Sequence, residues 1–263
     1  METTTSADGT TIAFDRVGTG APLILVAGAT CDRRVGARYA DALAGRFQVL
    51  NHDRRGRGDS TDTPPYAVDR EIDDIAAVAA SAGDEGAGPV LVGLSSGAVL
   101  AALAAARLRT AALVMWEPPF AVTDADRRRS LDYGAGLERL LAAGDRDGAF
   151  ELFLRGVGMP DPAIDGMRRS PYWADAVAVA PTLAYDAAVM GDGTVPADIL
   201  AGLSVPVLIL AGQASPPPLR EGARAAADAI PGARLEILAG QTHDVAPESL
   251  AAAVRDFVPA SLR

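Results

Sequence analysis

Apolar positions follow two alternating rhythms along the chain. Short continuous apolar runs cover residues 22–27, 90–94, 111–116 and 207–211. A run of this length, bounded by Gly or polar residues, suits a strand buried on both faces, since neither face needs to meet water. Residues 11–17, 47–51 and 234–238 read as further strands. Between the strands, residues 34–44, 69–80, 96–108, 219–230 and 248–258 carry helical spacing, with Ile72, Ile75 and Val78 on one stripe and Gly45 as a stop signal.

The rhythm changes after Pro119. Up to Leu203 no apolar strand is evident, and residues 131–142, 149–157 and 172–190 have helical patterns broken by Pro and Gly. Strand and helix then alternate again. Such an order predicts an α/β fold with a doubly covered, mostly parallel sheet carrying an inserted helical cap. The expected segments are a first core part over 1–118, a cap over 119–203 and a second core part over 204–263. No internal repeat is evident.

Composition narrows the function classes. The chain has 263 residues, enough for one well-packed core with an insertion, and a net charge of −10. That balance argues against nucleic acid or an anionic membrane as the main partner, and the run Arg127-Arg128-Arg129 is expected to be a solvated helix face. No apolar run is long enough to span a membrane, and the polar start lacks the order of a secretory signal, so a cytoplasmic protein is expected. The single cysteine, Cys31, excludes an intramolecular disulfide, and two histidines make a zinc site improbable. All 24 basic residues are arginine, which excludes Schiff-base chemistry on a lysine.

The chemistry centres on Gly93-Leu94-Ser95-Ser96-Gly97, a G-x-S-x-G between a predicted strand and a predicted helix. A strand turning directly into a helix forces the middle residue into a strained backbone, and side chains at the flanking glycines would collide with neighbouring elements. The serine is lifted to the carboxyl edge of the sheet. The N–H of the next residue, at a helix N-terminus, is aimed at a substrate oxygen.

On these residues the chain resembles the α/β-hydrolases along nearly its full length. Ala27-Gly28-Ala29-Thr30 resembles their oxyanion loop, although that loop usually begins His-Gly. The segment from Asp53 to Ser60, DRRGRGDS, resembles their structural D-x-R-G-x-G-x-S turn, and His52 beside it is not expected to be catalytic. Gln241-Thr242-His243 stands in the place of the family's catalytic histidine. The resemblance therefore implies Ser95 as nucleophile, His243 as base, and the N–H groups of Ala29 and Ser96 as the oxyanion hole.

The acid departs from the pattern. The family's G-x-x-D after the late strand is here Gly212-Gln213-Ala214-Ser215, with serine in place of aspartate. A neutral hydroxyl can hold the imidazole tautomer but does not offset the charge that develops on it. Some members of the fold place the acid one strand earlier, where this chain has Glu117, and the order Ser95, Glu117, His243 suits the fold. Other readings stay open: Glu117 as a hinge or cap anchor, Asp244 or Asp124 as the acid, or a Ser–His dyad.

Cys31 is expected to fill space near the oxyanion loop. Trp116, Phe120, Tyr133, Tyr172, Trp173, Tyr185 and Met190 are expected mostly to pack, some of them lining an apolar pocket over Ser95. The expected reaction is acyl transfer from an ester, thioester or lactone of a small-to-medium, partly apolar substrate, with no metal or organic cofactor. Two other classes remain: a cofactor-free non-hydrolytic enzyme such as a cyclase, lyase or acyltransferase, and a non-catalytic ligand-binding protein. The sequence leaves the oligomeric state open.

Overall fold

The computed structural model of the chain describes residues 1–83 and 86–259. One eight-stranded sheet contains β1 (Glu2–Thr5), β2 (Thr11–Val17), β3 (Ala21–Val26), β4 (Phe47–His52), β5 (Val90–Leu94), β6 (Ala112–Trp116), β7 (Val207–Gly212) and β8 (Arg234–Leu238). The order across it is β1-β2-β4-β3-β5-β6-β7-β8. β2 is antiparallel to both of its neighbours, and every other pair is parallel.

The connecting helices are α1 (Arg33–Leu43), α2 (Val68–Ser81) and α3 (Ser96–Ala105), followed after β6 by α4 (Asp124–Ala142), α5 (Arg146–Gly156), α6 (Asp161–Arg168), α7 (Trp173–Ala178), α8 (Leu183–Met190) and α9 (Ala197–Ala201). α10 (Pro217–Ala229) and α11 (Pro247–Phe257) complete the second α/β part. Side chains alternate across the parallel strands, so each face of the sheet has its own core. Ile24, Leu91, Leu113 and Ile209 face α2, α3 and α10, whereas Leu23, Val90, Val114 and Leu208 face α1 and α11. A third cluster, with Leu137, Phe150, Leu154 and Leu183, lies within the inserted helices.

Three details differ from the sequence reading. β1 is polar throughout, ETTT, and gives no apolar signal; its threonines suit a strand, and it pairs with β2 from Glu2↔Phe14 to Thr5↔Thr11. The predicted helix over 172–190 is divided near Pro181 into α7, a 3-10 turn at Ala180–Thr182 and α8, since proline cannot donate in a helix interior. α6 and α9 were not expected; they are short and bury Ile164 and Leu200 alone. The expected second core part ends at 263, and residues 260–263 lie outside the described residues. Among the described residues no helix is long and apolar enough to cross a membrane.

Parallel strands place all their carboxyl ends at one edge, and the turns after β3, β5, β6 and β8 meet there. α3 is packed against the sheet so closely that a Cβ on Gly97 would run into the carbonyl oxygens of Val26 and Ala27, and one on Gly93 into Gly97 and Ala98. We expect Gly97→Ala to lose about 1–3 kcal/mol of stability through overpacking. A denaturant midpoint equal to that of the wild type would contradict this close approach.

Candidate active site

Ser95 follows β5 and caps the N-terminus of α3 with φ 55° and ψ −125°. Its own N–H donates to the Trp116 carbonyl at 2.9 Å, and its carbonyl accepts from the Ala98 N–H at 2.9 Å. The turn is thus fastened to β6 on one side and to the helix on the other. Among the described residues, the non-glycine positions with positive φ are Thr30, Ser95 and Glu117. All three stand at the carboxyl edge of the sheet, and local strain of this kind collects at functional sites.

Glu117 follows β6 and is fully buried, with φ 43°. Its N–H donates to the Leu210 carbonyl at 2.9 Å, and its Oε1 accepts from the Gly212 N–H at 2.7 Å. Oε2 lies 2.6 Å from His243 Nδ1. Burial pushes the Glu117 carboxyl up, but the contact with His243 and the hydrogen bond from the Gly212 N–H outweigh it and hold the group below the usual carboxylate range. The carboxylate is therefore charged at neutral pH and faces the imidazole. The His243 loop is pinned by Trp116, whose Nε1 donates to the His243 carbonyl at 3.0 Å.

The other acids considered from sequence sit elsewhere. Asp244 turns to Arg38, and Asp124 is exposed at the start of α4. Ser215 is buried next to Gly212, after β7. His52 is buried in β4, where burial depresses its pKa to about 4 and keeps it neutral. The Arg127-Arg128-Arg129 run is exposed, and Arg127 pairs with Asp192 at 2.7 Å.

Ser95 and His243 line one cavity of about 330 Å³, together with Ala29, Leu94, Trp116 and Tyr39. No hydrogen bond joins the two side chains among the described residues. Catalytic hydrogen bonds of this type commonly tighten only with substrate present. Neither the Ala29 N–H nor the Ser96 N–H donates within the described residues, which leaves two donors uncommitted beside Ser95. Cys31 lines the same cavity, and burial pushes its thiol up, away from the reactive thiolate.

The inserted helices contribute Phe153 and Val157 to the wall. Neither was picked out from sequence, because α5 looks amphipathic whether its end caps a cavity or a core. Of the aromatics and methionine expected there, Trp116 lines the cavity. Phe120 packs in the core, Tyr133 and Trp173 belong to the inserted cluster, and Met190 packs against the α2–α3 side. Tyr185 stacks on Tyr66 with ring centroids 4.0 Å apart, and Tyr172 is exposed. A separate recess between β1, β2 and α1, lined by Glu2, Asp15 and Asp41, lies away from these groups.

A strained serine turn, a carboxylate-bound imidazole and an apolar cavity can together perform nucleophilic attack on a carbonyl. Comparison with known proteins agrees with this architecture. Residues 23–257 match the Alpha/beta hydrolase family. An alpha/beta hydrolase from Sphaerobacter thermophilus is 46% identical, with a TM-score of 0.87 over 98% of this chain and 100% of that one. A thermophilic esterase from Thermogutta terrifontis is 27% identical, with a TM-score of 0.73 over 97% of this chain and 96% of that one. An esterase from Rhodococcus sp. ECU1013, 20% identical with a TM-score of 0.67 and 98% of each chain covered, shares the fold. No curated protein matches the chain. Its motif, sheet order and these likenesses agree, and the chain belongs to the α/β-hydrolase family.

Proposed function

We propose that the protein is a serine hydrolase of carboxylic esters, acting through an acyl-enzyme on Ser95. The observation that carries this reading is the 2.6 Å contact between His243 Nδ1 and the buried Glu117, at the rim of the cavity that Ser95 lines. Glu117 fixes the imidazole with its proton on Nδ1, leaving Nε2 to take the proton of Ser95 as Oγ attacks the carbonyl. The negative oxygen of the tetrahedral intermediate rests on the N–H groups of Ala29 and Ser96. The imidazolium returns its proton to the departing alcohol. Water, deprotonated by His243, then adds to the acyl-enzyme and releases the acid.

The cavity wall supports an uncharged, partly apolar acyl group. Leu94, Trp116, Phe153 and Val157 are apolar, and the charged Arg38 and Asp244 neutralise each other. A volume of about 330 Å³ suits a small-to-medium ester, thioester or lactone. The likeness to esterases gives the same direction. This mechanism draws on no metal or organic cofactor, and its partner is a small molecule.

A fluorophosphonate probe, read by peptide mass spectrometry, is expected to modify Ser95 in the wild type and to fail in His243→Ala. Binding of ligand with no adduct would favour a non-catalytic protein, and product formation that survives Ser95→Ala would favour a non-hydrolytic enzyme. With a p-nitrophenyl ester, Glu117→Gln is expected to lower kcat by roughly 10²–10⁴-fold, as for loss of a triad acid. Ser215→Ala should cost far less, and equal losses in the two variants would remove Glu117 from the acid role.

A further inference from the structure

The turn from Asp53 to Ser60 divides its labour by position. Asp53, from the specified part of the D-x-R-G-x-G-x-S pattern, accepts from the N–H groups of Arg33 and Asp59 at 2.7 and 2.9 Å. Arg55 binds Asp74 through two bonds of 2.7 Å. These contacts hold the turn together. Arg54 and Arg57 occupy unspecified positions of the pattern, yet both are buried and both face the catalytic edge.

Arg57 Nη1 donates to the carbonyls of Gly28 at 2.7 Å and Cys31 at 3.3 Å, which bracket Ala29. Its Nη2 binds Asp186 at 2.6 Å. Arg54 Nη1 binds the other oxygen of Asp186 at 2.6 Å, while its remaining nitrogens grip Glu71 at 2.6 and 3.0 Å. Asp186 comes from α8 of the insertion and also accepts from Ser96 Oγ at 2.8 Å. Burial raises the Asp186 carboxyl, but Arg54 and Arg57 outweigh it and keep the group charged.

Resting on the acyl-transfer reading above, we infer that Arg57 and Asp186 are positioning residues that hold the two halves of the oxyanion site at a fixed separation. The guanidinium of Arg57 grips the loop that carries the Ala29 N–H. The carboxylate of Asp186 grips the hydroxyl of the residue that carries the other N–H, and the two side chains bind each other. Ala27 and Ala29 have no polar side chain with which to order the loop from within, and Thr30 must be kept at φ 61°. The order is supplied from the neighbouring turn and from the insertion. Two cations, Arg54 and Arg57, face two anions, Glu71 and Asp186, so the cluster is neutral only when complete. Removing one member leaves a buried charge without its partner. Seating of α8 and readiness of the oxyanion site are thereby one event.

The test compares Asp186→Asn, which keeps shape and removes charge, with Ser96→Ala, which cuts one hydrogen bond and leaves every ion pair intact. Three readouts are taken: hydrogen exchange of the peptides spanning 27–32 and the start of α3, the kcat and KM for a p-nitrophenyl ester, and inhibition by a trifluoromethyl ketone, whose adduct places an oxyanion in the site. Both variants are expected to exchange at least tenfold faster over 27–32 or, for Ser96→Ala, at the start of α3. Both should lose about tenfold or more in kcat and in ketone affinity together, with KM within twofold. Wild-type exchange, kcat and ketone affinity in Ser96→Ala would overturn the inference, as would a lowered Tm in Asp186→Asn with those three quantities unchanged. If the wild type forms no Ser95 adduct and turns over no ester, the proposed function fails by itself. Loop exchange then decides the positioning claim alone, and unchanged exchange overturns it.

Discussion

The structure depends on one steric constraint, the close approach of α3 to the sheet directly after β5. The helix is buried almost all round, and its first turn touches the backbone of β3 through Gly97. No room remains for a loop between strand and helix, so the chain reverses over a single residue, and Ser95 takes a positive φ. Packing of the apolar core on both faces of the sheet offsets the local strain. The same constraint sets a helix N-terminus beside the serine, with N–H groups that have no intrahelical partner. The packing that places Ser95 at the turn also sets the uncommitted Ser96 N–H beside it, and it explains why the motif has glycine at its two crowded places.

A second strained position answers the missing aspartate. Glu117 has no space in which to relax, being fully buried, and its backbone is tied to β7 while its side chain takes the Gly212 N–H and the His243 imidazole. A carboxylate in the turn after β6 stands on the same sheet edge as one in the turn after β7 would, one strand spacing nearer the serine. An aspartate at 215 would set a second carboxylate beside the first, in a buried site where like charges do not both ionise. Serine there adds no second charge to the site. The substitution pattern is thus coherent in the proposed mechanism: one charged acid, one neutral neighbour.

Much of this was legible in the sequence, because burial on both faces of a parallel strand leaves an unmistakable apolar run. The strands that flank Ser95 and Glu117 read within a residue of their ends, and strand order with the family resemblance put Glu117 forward as one candidate acid among several; its contact with His243 is seen only in the fold. What stayed hidden is what depends on three-dimensional juxtaposition of polar groups. β1 has no apolar residue to betray it, and its existence rests on pairing with β2. Phe153 and Val157 carry the same helical pattern whether they face a cavity or a core. Nothing in the sequence singles out Asp186, and only the fold brings it 2.6 Å from arginines more than a hundred residues earlier. A buried charge cluster has no sequence period, so nothing in the motif marks Arg54 and Arg57 as buried.

The most direct measurement of the central claim is a crystal structure of the protein inactivated by a small alkyl phosphonate. Phosphorus is expected to be bonded to Ser95 Oγ, its free oxygen within hydrogen-bond reach of the Ala29 and Ser96 N–H groups, and His243 still bound to Glu117 while its Nε2 faces Ser95. An adduct whose oxygen points away from both amides, or an imidazole directed elsewhere, would contradict it.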